Sequence, residues 1–411
     1  MSHARCHLWA GAKACTIQEE HAGASRGKTA VKRMRDTYVR HVRFYEWLRP
    51  LVAPLICKWF RMERVMLPAD VQTPFLLVSN HNTDLDPVFV GACYAKHMYF
   101  VASEHALRGG LGGYLLKKLF APIARQKGGT DALSAMQIMR KLRGGANVAL
   151  FAEGNRSFEG VTGPMFPATG KMVKAARCAL VTFKLEGGYF TSPRWSHTFR
   201  RGRMKGYPVH IYTREQLASM TAEDVSGVIA ADLYEDAYAR QARESTRFAG
   251  KSLAEYLETA LFLCPACGRV GTLQSQGDRF FCTCGLSAVY DEWGRLSGAP
   301  FATVLAWDAW QRVQLASLIV GDAAFFADAG VTLWHIAPCG VVRRDGGRLC
   351  MSRHSLSIGG TVIPLGAIAD MALIGRGRIV FTCGEHYELR GAKDFCGRKY
   401  VLMFQRLQAG M

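Results

Sequence analysis

The residues best suited to acid–base chemistry are a histidine and an aspartate five positions apart, His81 and Asp86. They follow a short apolar run, residues 75–78, which comes after a proline and predicts a buried strand. Asp86 and Pro87 together are typical of a helix start, with Asp as the N-cap and Pro at the first helical position. Across such a strand-to-helix turn, Asp86 could accept a hydrogen bond from Nδ1–H of His81 and leave Nε2 free as a base. A helix start without catalysis is the alternative.

A second polar turn follows another predicted buried strand, at residues 148–151. This turn contains Glu153, Gly154 and Arg156. The guanidinium of Arg156 is a planar fork suited to phosphate, and Gly154 permits a positive φ or a close approach of the backbone. Polar groups at the carboxyl ends of two strands form the kind of crevice in which α/β proteins bind ligands. A surface ion pair is the alternative for Glu153 with Arg156.

These two turns resemble motifs of the glycerolipid acyltransferases typified by 1-acyl-sn-glycerol-3-phosphate acyltransferase. The first family motif, Asn-His-x4-Asp, corresponds to residues 80–86. The third, Phe-Pro-Glu-Gly-Thr-Arg-Ser, corresponds to residues 151–157, with Ala152 and Asn155 as departures. The two motifs occur in the family's order and at a suitable spacing, so the resemblance is specific.

The other two family motifs match less closely. Residues 123–125 fit the second motif, an apolar pair closed by Arg, and residues 179–184 lie where the fourth should fall. Thr182 replaces the usual Pro of that fourth motif, which puts the acceptor or acyl preference in question. The resemblance extends over about residues 38–206.

The resemblance implies transfer of a fatty acyl group from acyl-CoA or acyl carrier protein to the free hydroxyl of lysophosphatidic acid, giving phosphatidic acid. His81 would deprotonate that hydroxyl and Asp86 would orient the imidazole, with Asp84 as the reserve partner. Another lysophospholipid or glycerol 3-phosphate is the alternative acceptor. The family also implies that four residues bind the acceptor: Arg125, Glu153, Gly154 and Arg156. A loop of aromatic residues and arginines at 187–205 lines the mouth of that site, touches headgroups, or is simply solvated.

The chain is strongly basic, with a formal net charge of +19 over 411 residues. Thirteen Lys or Arg precede Val65, against five Asp or Glu. Residues 38–62 mix aromatic and basic residues, and Pro50 and Pro54 predict a pair of interfacial helices with a break between them. We expect these helices to bind an anionic membrane, which makes the protein peripheral at the cytoplasmic face. Nucleic acid is the rival partner of a basic chain, and packing against the catalytic domain is the alternative for the helices.

Four cysteines form a second chemical pattern. Cys264 and Cys267 are separated by two residues, and Cys282 and Cys284 follow after fourteen more. Such pairs predict a structural Zn²⁺ site of the ribbon type, in which a glycine after each pair allows a positive φ. Disulfides are the alternative, disfavoured because the other nine cysteines are scattered singly. Since zinc ribbons often bind nucleic acid or protein, a non-catalytic binding protein remains the competing class of function.

Together these features predict an α/β protein with a mixed sheet flanked by helices, a small zinc ribbon and a β-rich C-terminal domain that ends in a helix. The expected parts are a basic N-terminus at 1–37, amphipathic interfacial helices at 38–66, an acyltransferase domain at 67–255, the zinc ribbon at 256–295 and the β-rich domain at 296–411. The helical region at about 213–262 reads as a cover without chemistry of its own.

The C-terminal part is predicted from its strand pattern. Strand-like runs occur at residues 332–336, 355–358, 361–364 and 379–382. Gly359 and Gly360 predict a hairpin turn between the middle two, and a helix is expected over residues 392–407. Strands followed by one helix resemble a pleckstrin-homology-like or related small β domain. Such a module could bind lipid, bind a partner protein or brace the zinc ribbon. Three histidines near strand ends are expected to be structural: His335, His354 and His386.

Overall fold

The structure is a computed structural model that describes most of the chain. The described residues are 25–107, 114, 117–125, 132–166, 168–337 and 340–409. Of residues 25–37, 105 and 106, the backbone alone is described. Most of the basic segment expected at 1–37 therefore lies outside the described residues, and the part from Ser25 onward is helical.

The first half of the described chain forms a seven-stranded mixed sheet. Its strands, in sheet order, are β1 (Met62–Arg64), β7 (Met204–Tyr212), β6 (Ala179–Glu186), β2 (Phe75–Ser79), β5 (Asn147–Phe151), β3 (Met98–Ser103) and β4 (Ile123–Arg125). Strands β6 and β7 are antiparallel, and the other neighbours are parallel. The predicted mixed sheet is confirmed, and it contains the strands expected at 75–78, 148–151 and 179–184.

Helices cover both faces of this sheet. They are α1 (Ser25–Trp59), α2 (Asp86–Ala92), α3 (Glu104–Leu107), α4 (Ala132–Arg143), α5 (Ala168–Ala176), α6 (Gly188–Thr191), α7 (Arg214–Ser219), α8 (Ala222–Leu233) and α9 (Ala237–Glu244). Side chains alternate along a strand, so Phe75 and Leu77 pack with α1 and α2, whereas Leu76 and Val78 pack with α4, α5 and α8. Burial on both faces explains why the central strands are apolar throughout. None of the described helices is long and apolar enough to cross a membrane.

Helix α1 is continuous through both prolines, so the expected break into two helices is wrong. Glu46, Pro50 and Pro54 lie on the exposed side of the helix. A proline removes the N–H that would bond the carbonyl four residues earlier, and here those carbonyls lie on the side that faces water. Ala53 and Cys57 are buried on the opposite side, and this packing stabilises the helix across the prolines.

The four cysteines of the predicted zinc site lie in and beside a small antiparallel sheet. Its strands, in sheet order, are β11 (Leu296–Ser297), β10 (Ser287–Tyr290), β9 (Arg279–Cys282) and β8 (Leu273–Gln276). Gly268 and Gly285, which follow the two cysteine pairs, have φ angles of 67° and 100°. The predicted positive φ at these two glycines is confirmed.

The chain ends in a seven-stranded antiparallel sheet and a helix. The strands, in sheet order, are β15 (Thr361–Pro364), β14 (Ser355–Ile358), β13 (Gly340–Met351), β12 (Phe326–Ala337), β18 (Glu385–Arg390), β17 (Arg378–Cys383) and β16 (Asp370–Ile374). Helix α10 (Val304–Gln314) precedes the sheet and α11 (Gly397–Gln408) follows it. The predicted β-rich region and the hairpin at Gly359 and Gly360 are confirmed. The pleckstrin-homology-like assignment stays a prediction.

Two details of the C-terminal part differ from expectation. Strand β13 was not predicted, because it is rich in Arg and Gly and half of its residues are exposed, so it lacks the apolar alternation of a half-buried strand. Strands β16 and β18 were missed as well. The terminal helix begins at Gly397 rather than Ala392, because the preceding residues form a loop that buries Phe395 and Cys396.

Candidate active site

The two predicted polar turns meet at one edge of the first sheet. Strands β2 and β5 are parallel neighbours with Ser79 opposite Phe151, so residues 80–86 and 152–157 leave the sheet side by side. A cavity of about 510 Å³ opens at this edge. Its polar lining includes His81, Asp84, Arg125, Asn155, Arg156 and Arg194. The arrangement is the strand-end crevice that the sequence predicted.

His81 and Asp86 form a pair in this crevice. Nδ1 of His81 lies 2.8 Å from Oδ2 of Asp86. The imidazole also stacks on Phe151, with ring centroids 4.6 Å apart. Because an ionised carboxylate can only accept, this contact places the proton on Nδ1 and the lone pair on Nε2. The pair can therefore take a proton from a group bound in the cavity.

The carboxylate of Asp86 is completely buried and has several donors besides His81. It accepts from the backbone amides of Asn82 and Thr83 at 2.6 and 2.9 Å, and from Oγ1 of Thr83 at 2.7 Å. Asp86 is the first residue of α2 and Leu85 is its N-cap, so the predicted N-cap role of Asp86 is wrong. The side chain turns back toward the preceding turn instead of capping the helix ahead.

Glu153 contacts the backbone of the catalytic turn and does not line the cavity. Its Oε1 accepts from the amide of His81 and its Oε2 from the amide of Gly163, both at 2.7 Å. Burial raises the pKa of Glu153 to about 8, although these two hydrogen bonds favour the charged form. The carboxyl group thus connects the ends of β2 and β5 with the loop around Gly163.

Arg156 is a buried cation at the cavity surface. Its Nη2 lies 3.1 Å from Oδ2 of Asp84, a side chain that is 63% exposed. Asp84, the reserve partner for His81, is thus paired with Arg156 instead. Within the described part of the chain, Nη1 of Arg156 has no hydrogen-bond partner. Burial lowers the pKa of Arg156, so an anion bound here would stabilise its charged form.

Arg125 and Gly154 also line the cavity. The guanidinium of Arg125 lies over the ring of Phe166, 4.0 Å from its centroid. Gly154 has a φ of 67°, and a Cβ at this position would come within 2.3 Å of the same ring. Glycine is therefore required here for both its conformation and its size. The apolar lining of the cavity includes Val101, Ile138, Leu150, Phe166 and Met172.

The departure from the fourth family motif lies away from the cavity. Thr182 donates from Oγ1 to Asp232 at 2.7 Å and accepts from the amide of His210 at 3.1 Å. These bonds occur where the pairing of β6 with β7 is irregular. Thr182 is not among the residues that line the cavity.

The helical region at about 213–262, predicted as a cover without chemistry of its own, also supports the catalytic turn through Glu235. Oε2 of Glu235 accepts from the side-chain amides of Asn80 and Asn82 at 3.3 and 3.0 Å. Arg240 pairs with the other oxygen of Glu235 at 3.2 Å. A single glutamate in a helical region carries no motif, which is why sequence reasoning missed it.

The comparison with known families matches this region. Residues 62–186 match the family model Acyltransferase. The chain contains an acyltransferase domain. The match covers His81, Asp86, Arg125 and Arg156, and it ends before the cysteine pairs and the C-terminal sheet. The resemblance drawn from the motifs is confirmed at the level of this family.

A comparison with solved structures adds a remote similarity. The chain is similar to the crystal structure of the 1-acyl-sn-glycerophosphate (LPA) acyltransferase PlsC from Thermotoga maritima. The TM-score is 0.37 and the sequence identity 18%, over 51% of this chain and 87% of that chain. No curated protein matches the sequence.

Outside the acyltransferase domain, the four cysteines form a candidate metal site. Their sulfur atoms all lie within 4.8 Å of one another, with Cys264 3.7 Å from Cys284 and Cys267 3.8 Å from Cys282. A tetrahedral zinc ion with Zn–S bonds of about 2.3 Å places its sulfur ligands about 3.8 Å apart, whereas a disulfide requires about 2.05 Å. The four free thiols therefore fit a metal ion and not a pair of disulfides.

Removal of a metal ion is expected to unfold this site without disturbing the acyltransferase domain. Chelation should increase hydrogen exchange around Cys264 to Cys284 and leave residues 75–86 protected. Cys267→Ser should lose the bound metal, whereas Cys350→Ser, at a similarly half-buried cysteine outside the cluster, should retain it. Equal metal content in the two variants would contradict the site.

The raised pKa of Glu153 predicts a loss of stability with rising pH. The folded protein keeps this proton to about pH 8, whereas the unfolded chain loses it near the ordinary value of 4.5. The contribution to the unfolding free energy is therefore complete below about pH 4.5 and is lost as the pH rises toward 8. Urea unfolding at pH 5 and pH 8 should show a larger loss for the wild type than for Glu153→Gln. Parallel losses would show that Glu153 titrates normally.

Proposed function

We propose that this protein transfers a fatty acyl group from acyl-CoA or acyl carrier protein to the free hydroxyl of a lysophospholipid. Lysophosphatidic acid is the leading acceptor, and the product is then phosphatidic acid. The observation that carries the proposal is the His81–Asp86 pair at a cavity that also holds the buried guanidinium of Arg156. The family match supports acyl transfer in general.

The proposed reaction uses His81 as a general base. Its Nε2 takes the proton of the acceptor hydroxyl while the oxygen attacks the thioester carbonyl. The C–S bond then breaks, and the imidazolium returns the proton to the departing thiolate. Asp86 holds the Nδ1 proton and stabilises the imidazolium without itself becoming protonated. No covalent acyl-enzyme is needed.

The acceptor phosphate is assigned to the cationic end of the cavity. Arg156 supplies a buried guanidinium, and Arg125 adds a second cation. Gly154 leaves the backbone open to a close approach. Glu153 acts on acceptor binding through the position of this loop, because its oxygens are already bonded to backbone amides. The apolar lining of the cavity is suited to the acyl chain.

The exposed side of α1 is proposed to lie on an anionic membrane surface at the cytoplasmic face. Four large apolar side chains at intervals of four residues are 55–69% exposed: Trp47, Leu51, Leu55 and Trp59. This spacing places them along one side of the helix. Arg43, Lys58 and Arg61 are exposed nearby, and Arg201 lies over the ring of Trp59. Apolar side chains flanked by cations are typical of helices that bind anionic bilayers.

Replacement of the base is expected to abolish acyl transfer. His81→Ala should lower kcat at least about 10²-fold, because general-base catalysis contributes about that much or more. The assay uses labelled acyl-CoA and acyl carrier protein against glycerol 3-phosphate, lysophosphatidic acid and other lysophospholipids. His210→Ala is the matched control, since His210 forms the same 2.8 Å contact with Asp232 outside the cavity and should remain active. A kcat of His81→Ala close to that of the wild type would exclude the mechanism. Nucleic-acid binding without any acyl transfer would favour the alternative of a non-catalytic zinc-ribbon binding protein.

Polar substitutions on α1 are expected to weaken membrane binding. Leu51→Ser with Leu55→Ser should reduce binding to vesicles of phosphatidylcholine and phosphatidylglycerol by about tenfold or more, because two exposed aliphatic side chains are lost from the bilayer contact. Val313→Ser with Val320→Ser changes two valines of similar exposure elsewhere and should bind as the wild type does. Sedimentation with vesicles measures both. Equal binding by the two double variants would show that α1 does not contact the membrane.

A further inference from the structure

The cavity of the acyltransferase domain has one wall that comes from outside that domain. Ile374 and Gly375 line it together with His81 and Arg156. These two residues end β16 and begin its turn into β17, far beyond residue 186, where the family match ends. The C-terminal sheet therefore reaches the proposed catalytic site.

One buried guanidinium joins this turn to the loop that carries Arg156. Nε of Arg194 donates to the carbonyl oxygen of Gly375 and Nη1 donates to that of Arg156, both at 2.8 Å. Nη2 donates to Oδ1 of Asn155 at 3.3 Å. All three nitrogens of Arg194 are thus engaged, and the side chain also lies over the ring of Phe158. A planar fork bonded on three sides fixes the turn and the loop relative to each other.

Further polar contacts fix the same two segments. Nε of Arg376 donates to the carbonyl oxygen of Ser196 at 2.7 Å, which fastens the turn to the chain beside Arg194. Glu159 pairs with Arg398 of α11 at 3.0 Å and with Arg312 of α10 at 2.7 Å. Hydrogen bonds and ion pairs are directional, so these contacts fix where the turn lies relative to the loop that carries Arg156.

Several arginine side chains lie close to one another around this wall of the cavity. Burial, together with the nearby cations Arg156 and Arg398, lowers the pKa of Arg194 to about 9. The charge of Arg376 likewise acts to lower the pKa of Arg156. An anion at this end of the cavity would stabilise the charged forms of Arg156 and Arg194.

We propose that the turn of residues 374–376 forms the outer wall of the acceptor end of the cavity and limits the size of the anionic headgroup that enters. Arg194 is the positioning residue that holds Arg156 against this wall. The inference rests on the proposed function, because it assigns headgroup selection at the same site. It makes a small phosphate monoester the favoured acceptor class and a bulky phosphodiester headgroup a poor one.

Two glycines of the same sheet allow a matched test of the wall. Gly375 and Gly384 lie in successive hairpin turns with φ angles of 59° and 67°. A Cβ at either position meets none of the described atoms within 4 Å. Leucine therefore introduces comparable backbone strain at both, but only Gly375 lines the cavity.

Gly375→Leu is expected to raise KM for lysophosphatidic acid at least about tenfold and to leave KM for acyl-CoA unchanged, because the added side chain narrows the acceptor end alone. Gly384→Leu should change neither constant. Arg194→Met, which removes the three hydrogen bonds, should show the same selective rise in the acceptor KM. If the two leucine variants change the acceptor KM equally, or if Gly375→Leu raises the KM values of both substrates, the proposal that this turn limits the headgroup is contradicted.

Calorimetric titration with sn-glycerol 3-phosphate separates this inference from the proposed function. If the wild type binds this probe but transfers no acyl group, and Gly375→Leu alone weakens binding, the proposed acyl transfer is refuted and the role of the turn in headgroup binding is supported. If the wild type transfers acyl groups and both leucine variants retain wild-type kinetics and binding, the role of the turn is refuted and the proposed acyl transfer is supported. A wild type that neither transfers nor binds would refute both.

Discussion

The buried carboxylate of Asp86 is the constraint on which the geometry of the catalytic turn depends. A carboxylate removed from water costs several kcal/mol unless donors replace its hydration. Here His81, the amides of Asn82 and Thr83, and the hydroxyl of Thr83 supply those donors. The turn must adopt a conformation in which all of them converge on one group. The same convergence sets the tautomer of His81, so stability and proton transfer impose a single geometry on residues 81–86.

Two more buried carboxyl groups, those of Glu153 and Glu235, extend this constraint to the neighbouring elements. Glu153 joins the amide of His81 to that of Gly163, and Glu235 joins Asn80 and Asn82 to the helical cover through Arg240. Each of these acids is matched with donors from elements that are distant in sequence. The position of the imidazole is therefore determined by hydrogen bonds from β2, β5 and the cover, while the apolar cores on the two faces of the sheet hold those elements in place.

The sequence predicted the contacts between residues that are close along the chain, but not those between residues far apart along it. The spacing of His81 to Asp86 and of the cysteine pairs could be read directly, because a few residues within one turn bring the reactive atoms together. Arg194 bonds to Gly375 across 181 positions, and no periodicity or motif reports such a contact. The prediction that Pro50 and Pro54 break α1 was wrong for a related reason. The energetic cost of a proline in a helix depends on whether the carbonyl left without its N–H partner faces water, and this depends on how the helix packs.

The family match ends at residue 186, but the proposed site also includes residues of the C-terminal sheet. The packing of the loop that carries Arg156 explains this difference. Phe158, just after the third motif, lies between the guanidinium groups of Arg194 and Arg398 and belongs to the apolar core of the C-terminal region. Without that region, Phe158 would lose its contact with Arg398, and Glu159 would lose Arg312 and Arg398. The loop that carries Arg156 would then lose its anchors at Phe158 and Glu159, and Arg194, which bonds to this loop, would lose its own bond to Gly375. The C-terminal region is thus a structural condition for the acceptor end of the cavity, because its two helices hold partners of Phe158 and Glu159 and its sheet holds a partner of Arg194.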